Sequence, residues 1–188
     1  LRSLAFAALV GGPPALAIQA PDPAELSRRG TELMAAGRYA EAVPVYRDLV
    51  KAVPGQAGLL ANLGMALHLS GQDAEAIAAL EAALKLDPDS VPAALFLGTA
   101  RLGLGRTAAA VAPLQKAVRL QPENREARSL LADALVSLDR HLEAEPHLRR
   151  LSRDDPRDPV VWFTLGRTYE AIAGQGFVPG AVVYFDGK

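Results

Sequence analysis

The stretch Trp162-Phe163-Thr164-Leu165-Gly166-Arg167-Thr168-Tyr169 places a glycine between large side chains, and glycine recurs upstream at a fixed interval. Gly30, Gly64 and Gly98 are spaced by 34 residues, and Gly166 continues the series after Ala132. Three further ladders, each a series of residues spaced by 34 positions, occur in the sequence. Their members are Pro54, Pro88, Pro122 and Pro156; Ala42, Ala76, Ala110 and Ala144; and Gly37, Gly71 and Gly105, followed by Asp139. Self-similarity at one interval in this range indicates a repeat protein.

The sequence pattern within each unit predicts two amphipathic helices joined by a turn. Leu60, Leu63 and Leu67 recur at helical spacing in the first half of a unit, and Ala76 and Leu80 do so in the second half. The glycine ladder that starts at residue 37 predicts where each first helix ends, because glycine accepts a positive φ at that point. The small residues at 64 and 98 predict a close crossing of the two helices, since glycine inside a helix is otherwise unfavourable. The fold class predicted is all-α.

The residues at these positions resemble the tetratricopeptide repeat, whose pattern is W-x2-L-G-x2-Y, then A-x3-F, then P. Trp162, Leu165, Gly166 and Tyr169 match its first half in full, and Ala42-x3-Tyr46 is an example of the second half. The resemblance is to exported bacterial arrays of this repeat. It implies an α-solenoid of about four and a half helix-turn-helix units over residues 21–173. The units run over 23–56, 57–90, 91–124 and 125–158, with a half unit over 159–173.

The two ends of the chain depart from the repeat. Residues 1–20 contain a short apolar run, a Gly-Pro break and Ala15-Leu16-Ala17, an order typical of a signal peptide. This predicts an exported protein, periplasmic or extracellular, and a cytoplasmic one if the segment is not a leader. The apolar run is too short for a stable membrane span. Residues 174–188 form a non-repeat tail, which indicates either a truncated or frame-shifted chain after about residue 173 or a tail that folds back or pairs with a partner.

Three second helices contain a proline a few residues after their expected start. Pro44, Pro113 and Pro146 lack the N–H that a helix interior uses, so the sequence predicts that these helices begin late or bend slightly.

An array that ends without a polar cap exposes apolar surface, so self-association through the C-terminal end is expected.

Composition and motifs argue against catalysis. The chain is 50% hydrophobic with a formal net charge of -1, so no overall field would attract nucleic acid. It has no cysteine. The cluster His141-Leu142-Glu143-Ala144-Glu145-Pro146-His147 lacks the i, i+4 histidine pair of zinc helices, and no nucleophile, phosphate loop or calcium loop can be assembled. The prediction is therefore a non-enzyme without metal or cofactor.

In the resembling family, the first helices line a concave surface that binds other proteins. Carried over position by position, this implies a partner-binding groove formed by one set of side chains. They are Met65, His68, Leu69, Leu95, Thr99, Leu102, Asp133, Val136, Phe163 and Arg167. Ser27, Thr31, Met34, Ala61, Ser129 and Glu170 occupy matching positions in other units. Family members that grip a C-terminal carboxylate use basic residues and asparagines there, and only Asn62 stands at such a place.

The groove predicts a non-catalytic interaction scaffold or adaptor. Its ligand would be a peptide or an apolar segment of another protein, because methionine adapts its packing to different partners. An alternative for each apolar position is that it packs between adjacent first helices and binds nothing. Two further functions stay open: the docking or sensor arm of a larger protein, and a non-catalytic subunit of an envelope enzyme complex.

Overall fold

The computed structural model describes residues 22–174, and this part of the chain folds into nine helices without a strand. The first helices of the successive units are α1 (Pro23–Ala35), α3 (Ala57–Leu69), α5 (Val91–Gly103), α7 (Arg125–Ser137) and α9 (Pro159–Gly174). The second helices are α2 (Tyr39–Ala52), α4 (Asp73–Leu86), α6 (Thr107–Leu120) and α8 (His141–Asp154). Every helix in either set begins 34 residues after the one before it. The predictions for residues 1–20 and 175–188 lie outside the described residues.

Polar side chains between units start the first helices. The Ser90 hydroxyl accepts a hydrogen bond from the backbone N–H of Ala93 at 3.5 Å, and the Asn124 amide oxygen accepts one from Ala127 at 2.9 Å. Asp158 does the same for α9, where its carboxylate accepts from Val160. Each bond satisfies an amide that the helix itself leaves without a partner.

The turn inside each unit requires a left-handed residue. Gly37, Gly71 and Gly105 have φ angles of 71°, 81° and 68°, which confirms the predicted helix ends. Asp139 takes this place in the fourth unit and is held at a φ of 56°. A residue with a Cβ atom is strained in that region, and glycine is not.

We expect Asp139→Gly to raise the free energy of unfolding by roughly 0.5–1 kcal/mol. Glycine removes the strain of the left-handed conformation, and the larger chain entropy that glycine loses on folding offsets part of this gain. Little else is lost, because the Asp139 side chain is exposed and its contact with His141 Nε2, at 3.6 Å, is long for a hydrogen bond. Urea unfolding followed by circular dichroism measures the change. Gly71→Asp is the matched reverse substitution and should destabilise by a similar amount; equal stability of all three proteins would contradict the strain.

Of the two effects predicted for proline in the second helices, a late start or a slight bend, the late start does not occur. Helices α2, α6 and α8 start in the same register as α4, and Pro44, Pro113 and Pro146 lie inside them. The start is fixed by the left-handed turn, whose position relative to the helix is the same in every unit. Proline therefore costs each helix one internal hydrogen bond, to the carbonyl four residues earlier, and does not move its first residue.

In the third unit, a neighbouring side chain replaces the bond that proline removes. Pro113 leaves the carbonyl oxygen of Ala109 without its helical donor, and Arg101 on α5 donates to that oxygen at 2.8 Å. A second nitrogen of the same guanidinium donates to Glu81 on α4 at 2.7 Å. Arg101 thus connects three consecutive helices.

The glycine ladder sets how closely the two helices of a unit approach. A Cβ atom added at Gly98 would lie 2.5 Å from Leu114 Cγ, and one at Gly64 would overlap Leu80 in the same way. The α3–α4 and α5–α6 pairs pack most closely, whereas the α7–α8 pair, with Ala132 at this position, and the α1–α2 pair, where Gly30 faces Tyr46, pack less closely. Each second helix packs about equally closely on the next first helix, whereas successive first helices contact one another most extensively between α3 and α5.

The packing produces a curved solenoid. Helix α3 contacts α5, and α5 contacts α7, whereas consecutive second helices have little or no contact with one another. First helices that lie closer together than second helices place the first helices on the concave side. The buried side chains form two hydrophobic clusters, both contacted by Leu84, so the core runs along the array. None of the described helices combines the length and apolar content needed to cross a membrane.

Candidate functional site

The concave face is formed by α1, α3, α5, α7 and α9, and it carries nearly all the predicted groove residues at its surface. Leu69 and Phe163 are 40% and 68% exposed, and Asp133 and Arg167 are also exposed. The half-buried members are Met65, His68, Thr99, Leu102 and Val136. Leu95 differs from the others: it is 7% exposed and belongs to the second core cluster, so it offers a ligand almost no surface.

Packing separates the apolar groove residues into two kinds. Leu102 and Val136 contact the second core cluster, as the alternative of packing between helices anticipated. Met65 is half-buried without belonging to either cluster, and Leu69 stands at the open end of α3. Met65 and Leu69 are therefore the apolar side chains in the second unit that a bound segment could reach.

His68, on α3, is held by residues of the next two helices, α4 and α5. Its Nδ1 lies 2.5 Å from a carboxylate oxygen of Asp73, the first residue of α4, and its ring is tilted against Phe96 with centroids 5.9 Å apart. The other oxygen of Asp73 lies beside Gly103, where a Cβ atom would collide with it. These contacts fix the imidazole, so His68 is a rigid part of the groove wall.

A cleft of about 550 Å³ lies at the C-terminal end of the groove, between α7, the turn before α8, and α9. Its lining combines apolar, hydroxyl and charged side chains. They are Val136, Asp139, His141, Phe163, Thr164, Arg167, Thr168 and Ala171. Three of these, Val136, Phe163 and Arg167, are groove residues that the sequence predicted. Within the described residues, the Nδ1 atom of His141 is buried and has no hydrogen-bond partner.

Opposite charges stand at the same position of two consecutive first helices. Asp133 on α7 and Arg167 on α9 are 34 residues apart, and neither forms an ion pair with another described residue. Partial desolvation by neighbouring atoms raises the pKa of the Asp133 carboxyl above its usual range, although the residue is exposed. The groove therefore offers a partner one partly desolvated carboxyl and one exposed guanidinium.

Sequence reasoning missed the part of the cleft that comes from the turn. Asp139 and His141 enter it because the chain reverses between α7 and α8, and Thr164 and Thr168 because α9 packs beside that turn. Asp139 was marked by its departure from glycine in the ladder, which was the available signal. The other histidine of the predicted cluster, His147, lies elsewhere: burial and then the nearby Arg128 lower its pKa. No group of three or more metal-ligating side chains occurs in residues 22–174.

Two family models match the chain, over residues 27–91 and 101–167, and both describe the tetratricopeptide repeat. The chain belongs to the tetratricopeptide repeat family. Proteins of this repeat are generally non-catalytic interaction modules. No curated protein sequence matches the chain.

Solved tetratricopeptide structures share the solenoid. A MamA structure (AMB-1) is 26% identical with a TM-score of 0.74, covering 80% of this chain and 82% of MamA. YrrB, described as a TPR protein with an unusual peptide-binding site, is 21% identical with a TM-score of 0.73, covering 82% of this chain and 79% of YrrB. The first TPR of Spaghetti (RPAP3), bound to the HSP90 peptide SRMEEVD, is 23% identical with a TM-score of 0.59. That match covers 66% of this chain and 98% of the Spaghetti chain.

Proposed function

We propose that this protein is a non-catalytic scaffold that binds an extended or helical segment of a partner protein along the concave groove. The observation that carries the proposal is the cleft between α7 and α9, where Phe163 and Arg167 are exposed beside Thr164. An exposed aromatic ring, a guanidinium and hydroxyl groups around one cleft are typical of sites that recognise peptides. The peptide-binding relatives support a ligand of this class, and the identity of the partner is open.

The contacts available along the groove favour a segment with spaced apolar side chains. Met65 and Leu69 offer one apolar contact in the second unit, and Phe163 with Val136 offers another at the fifth. Asp133 and Arg167 between them would set the direction of the segment through its polar groups. The leader-like segment at residues 1–20 supports the further proposal that binding takes place outside the cytoplasm.

The test is capture of partners from the envelope fraction of the native cell by immobilised protein. We expect the parent to retain a defined partner. The double variant Met65→Glu/Arg167→Glu should retain about tenfold less of that partner, because the new carboxylates disrupt one apolar contact and one cationic contact. Neither substitution buries a charge in a core cluster. Circular dichroism must first show that the variant keeps its helix content.

Leu86→Glu/Arg153→Glu is the matched control, with the same two charge changes at exposed positions on second helices. The control should retain the partner at the parental level. Equal loss in the control, or a partner that survives the groove substitutions, would overturn the proposal.

A further inference from the structure

A histidine and an aspartate form a polar pair in the groove wall of the second unit. His68 Nδ1 lies 2.5 Å from Asp73 Oδ1, and the two side chains are only 22% and 15% exposed. The other full units have apolar residues at the position of His68, namely Met34, Leu102 and Val136. The residues at the position of Asp73 are Tyr39, Thr107 and His141. The repeat therefore folds without such a pair. A partly buried ion pair is seldom more stabilising than the apolar side chains that could replace it, so this pair calls for another role.

The next unit provides the space for the carboxylate. A Cβ atom at Gly103, the last residue of α5, would collide with Asp73 Oδ2. The other first helices have a side chain at this position: Ala35, Leu69, Ser137 and Ala171. Because Gly103 has none, Asp73 can direct one oxygen at the imidazole while the other lies against α5. The histidine, the aspartate and the glycine occur together at this one junction of the array.

The pair decides which nitrogen of His68 carries the proton. A carboxylate only accepts hydrogen bonds, so the proton between the two groups belongs to Nδ1. In the neutral imidazole, Nε2 then has a lone pair and acts as an acceptor. Within residues 22–174, Nε2 of His68 has no hydrogen-bond partner and, unlike Nδ1 of His141, keeps contact with solvent. The groove wall thus presents one oriented acceptor on the same helix as Met65 and Leu69.

We propose that His68 Nε2 accepts a hydrogen bond from a backbone N–H of the bound segment, and that Asp73 is the positioning residue for this contact. The inference rests on the proposed function and specifies the conformation of the ligand at the second unit. A segment with a free N–H at this point is extended, because the N–H groups inside a helix already bond to its own carbonyls. Side chains on either side of that N–H would contact Met65 and Leu69.

The acceptor also selects against other ligands. A segment that covers Nε2 without a donor leaves a polar atom unsatisfied, which weakens binding by roughly tenfold. A lysine side chain could donate, but the apolar surface of Met65 and Leu69 would remove its ammonium group from water. A neutral backbone N–H satisfies Nε2 without that cost.

The position of the proton is measured on the full chain, without a ligand, by NMR of ¹⁵N-labelled histidine in alkaline buffer. The shifts of the ring nitrogens distinguish the two tautomers, and His68→Leu assigns the signals among the three histidines. We expect the Nδ1–H tautomer for His68 in the parent and a loss of this preference in Asp73→Ala. Glu75→Ala is the control, since it removes another carboxylate from the first turn of α4 and should leave the tautomer unchanged. Any other form of His68 in the parent overturns the proposal.

The contact itself is measured with linear peptides from a random display library. Peptides that the parent retains and Met65→Glu/Arg167→Glu does not are ligands of the groove. In the tightest of them, each backbone amide is replaced in turn by an ester, which removes one N–H and keeps every side chain. We expect one ester position to raise the dissociation constant for the parent by roughly tenfold.

The variant His68→Leu/Asp73→Thr tests whether that N–H meets His68. It carries the third unit's own residues at both positions, Leu102 and Thr107, and should therefore fold, which circular dichroism checks. The same ester should change its dissociation constant by less than about twofold. An ester scan that is the same for parent and variant overturns the His68 contact and leaves the proposed function intact. A library without any peptide that separates the parent from Met65→Glu/Arg167→Glu overturns the proposed function, and this inference with it.

Discussion

Leu114→Ala is expected to lower the free energy of unfolding by about 2–5 kcal/mol, the usual cost of removing a buried leucine and leaving a cavity. Leu114 has no exposed surface and fills the space above Gly98, where α5 and α6 cross. Little can collapse into that space, because the two helices are already among the most closely packed pairs. Urea unfolding of the parent and the variant measures the difference.

Leu142→Ala is the control for this prediction. Leu142 is also a leucine on a second helix, but it is 61% exposed, so its loss should change the free energy of unfolding by less than about 0.5 kcal/mol. Combining Leu114→Ala with Gly98→Ala adds a sharper comparison, since the new methyl group at residue 98 then has room. The double variant should be more stable than the sum of the two single effects predicts; additivity would mean that the two positions are not in contact.

Gly64→Leu is expected to destabilise the protein by about 1–3 kcal/mol through overpacking. A Cβ atom at residue 64 overlaps Leu80, and the carbonyl oxygen of Ala76 closes the other side at 3.3 Å. The backbone must therefore separate to admit the new side chain. The measurement is the midpoint of thermal unfolding, made at the same protein concentration for parent and variant.

Gly166→Leu is the matched substitution for Gly64→Leu, at the same position of the repeat. Because no described atom lies within 4 Å of a Cβ there, the variant should keep the parental stability or gain up to about 1 kcal/mol from the better helix former. If both substitutions shift the midpoint by the same amount, the close crossing is not the reason for the glycine ladder.

The 34-residue ladders sufficed to predict the helical repeat and the ends of its first helices, because the residue types at those positions are determined by local turn and cap conformations. They also predicted the close crossing, since glycine at residue 64 or 98 has no local advantage in a helix. The effect of proline was not predictable in the same way. Whether Pro113 delays α6 depends on the register set by the preceding turn and on Arg101, which comes from another helix.

The sequence predicted which face of the first helices carries the candidate site, but it did not predict the cleft on that face. Periodicity places Phe163 and Arg167 on the first helices, and the resemblance assigns that side to the groove. Leu95 shares this spacing, yet the neighbouring helix covers it, and the sequence of α5 alone carries no information on that contact. Asp139 and His141 join the cleft only through the packing of α9 beside the turn.

The contact between α3 and α5 has a mechanical consequence. Each second helix packs about equally closely on the next first helix, but successive first helices contact one another most extensively between the second and third units. Under a bending load, these two units would behave as the stiffest part of the superhelix, and the junctions on either side of them would flex first.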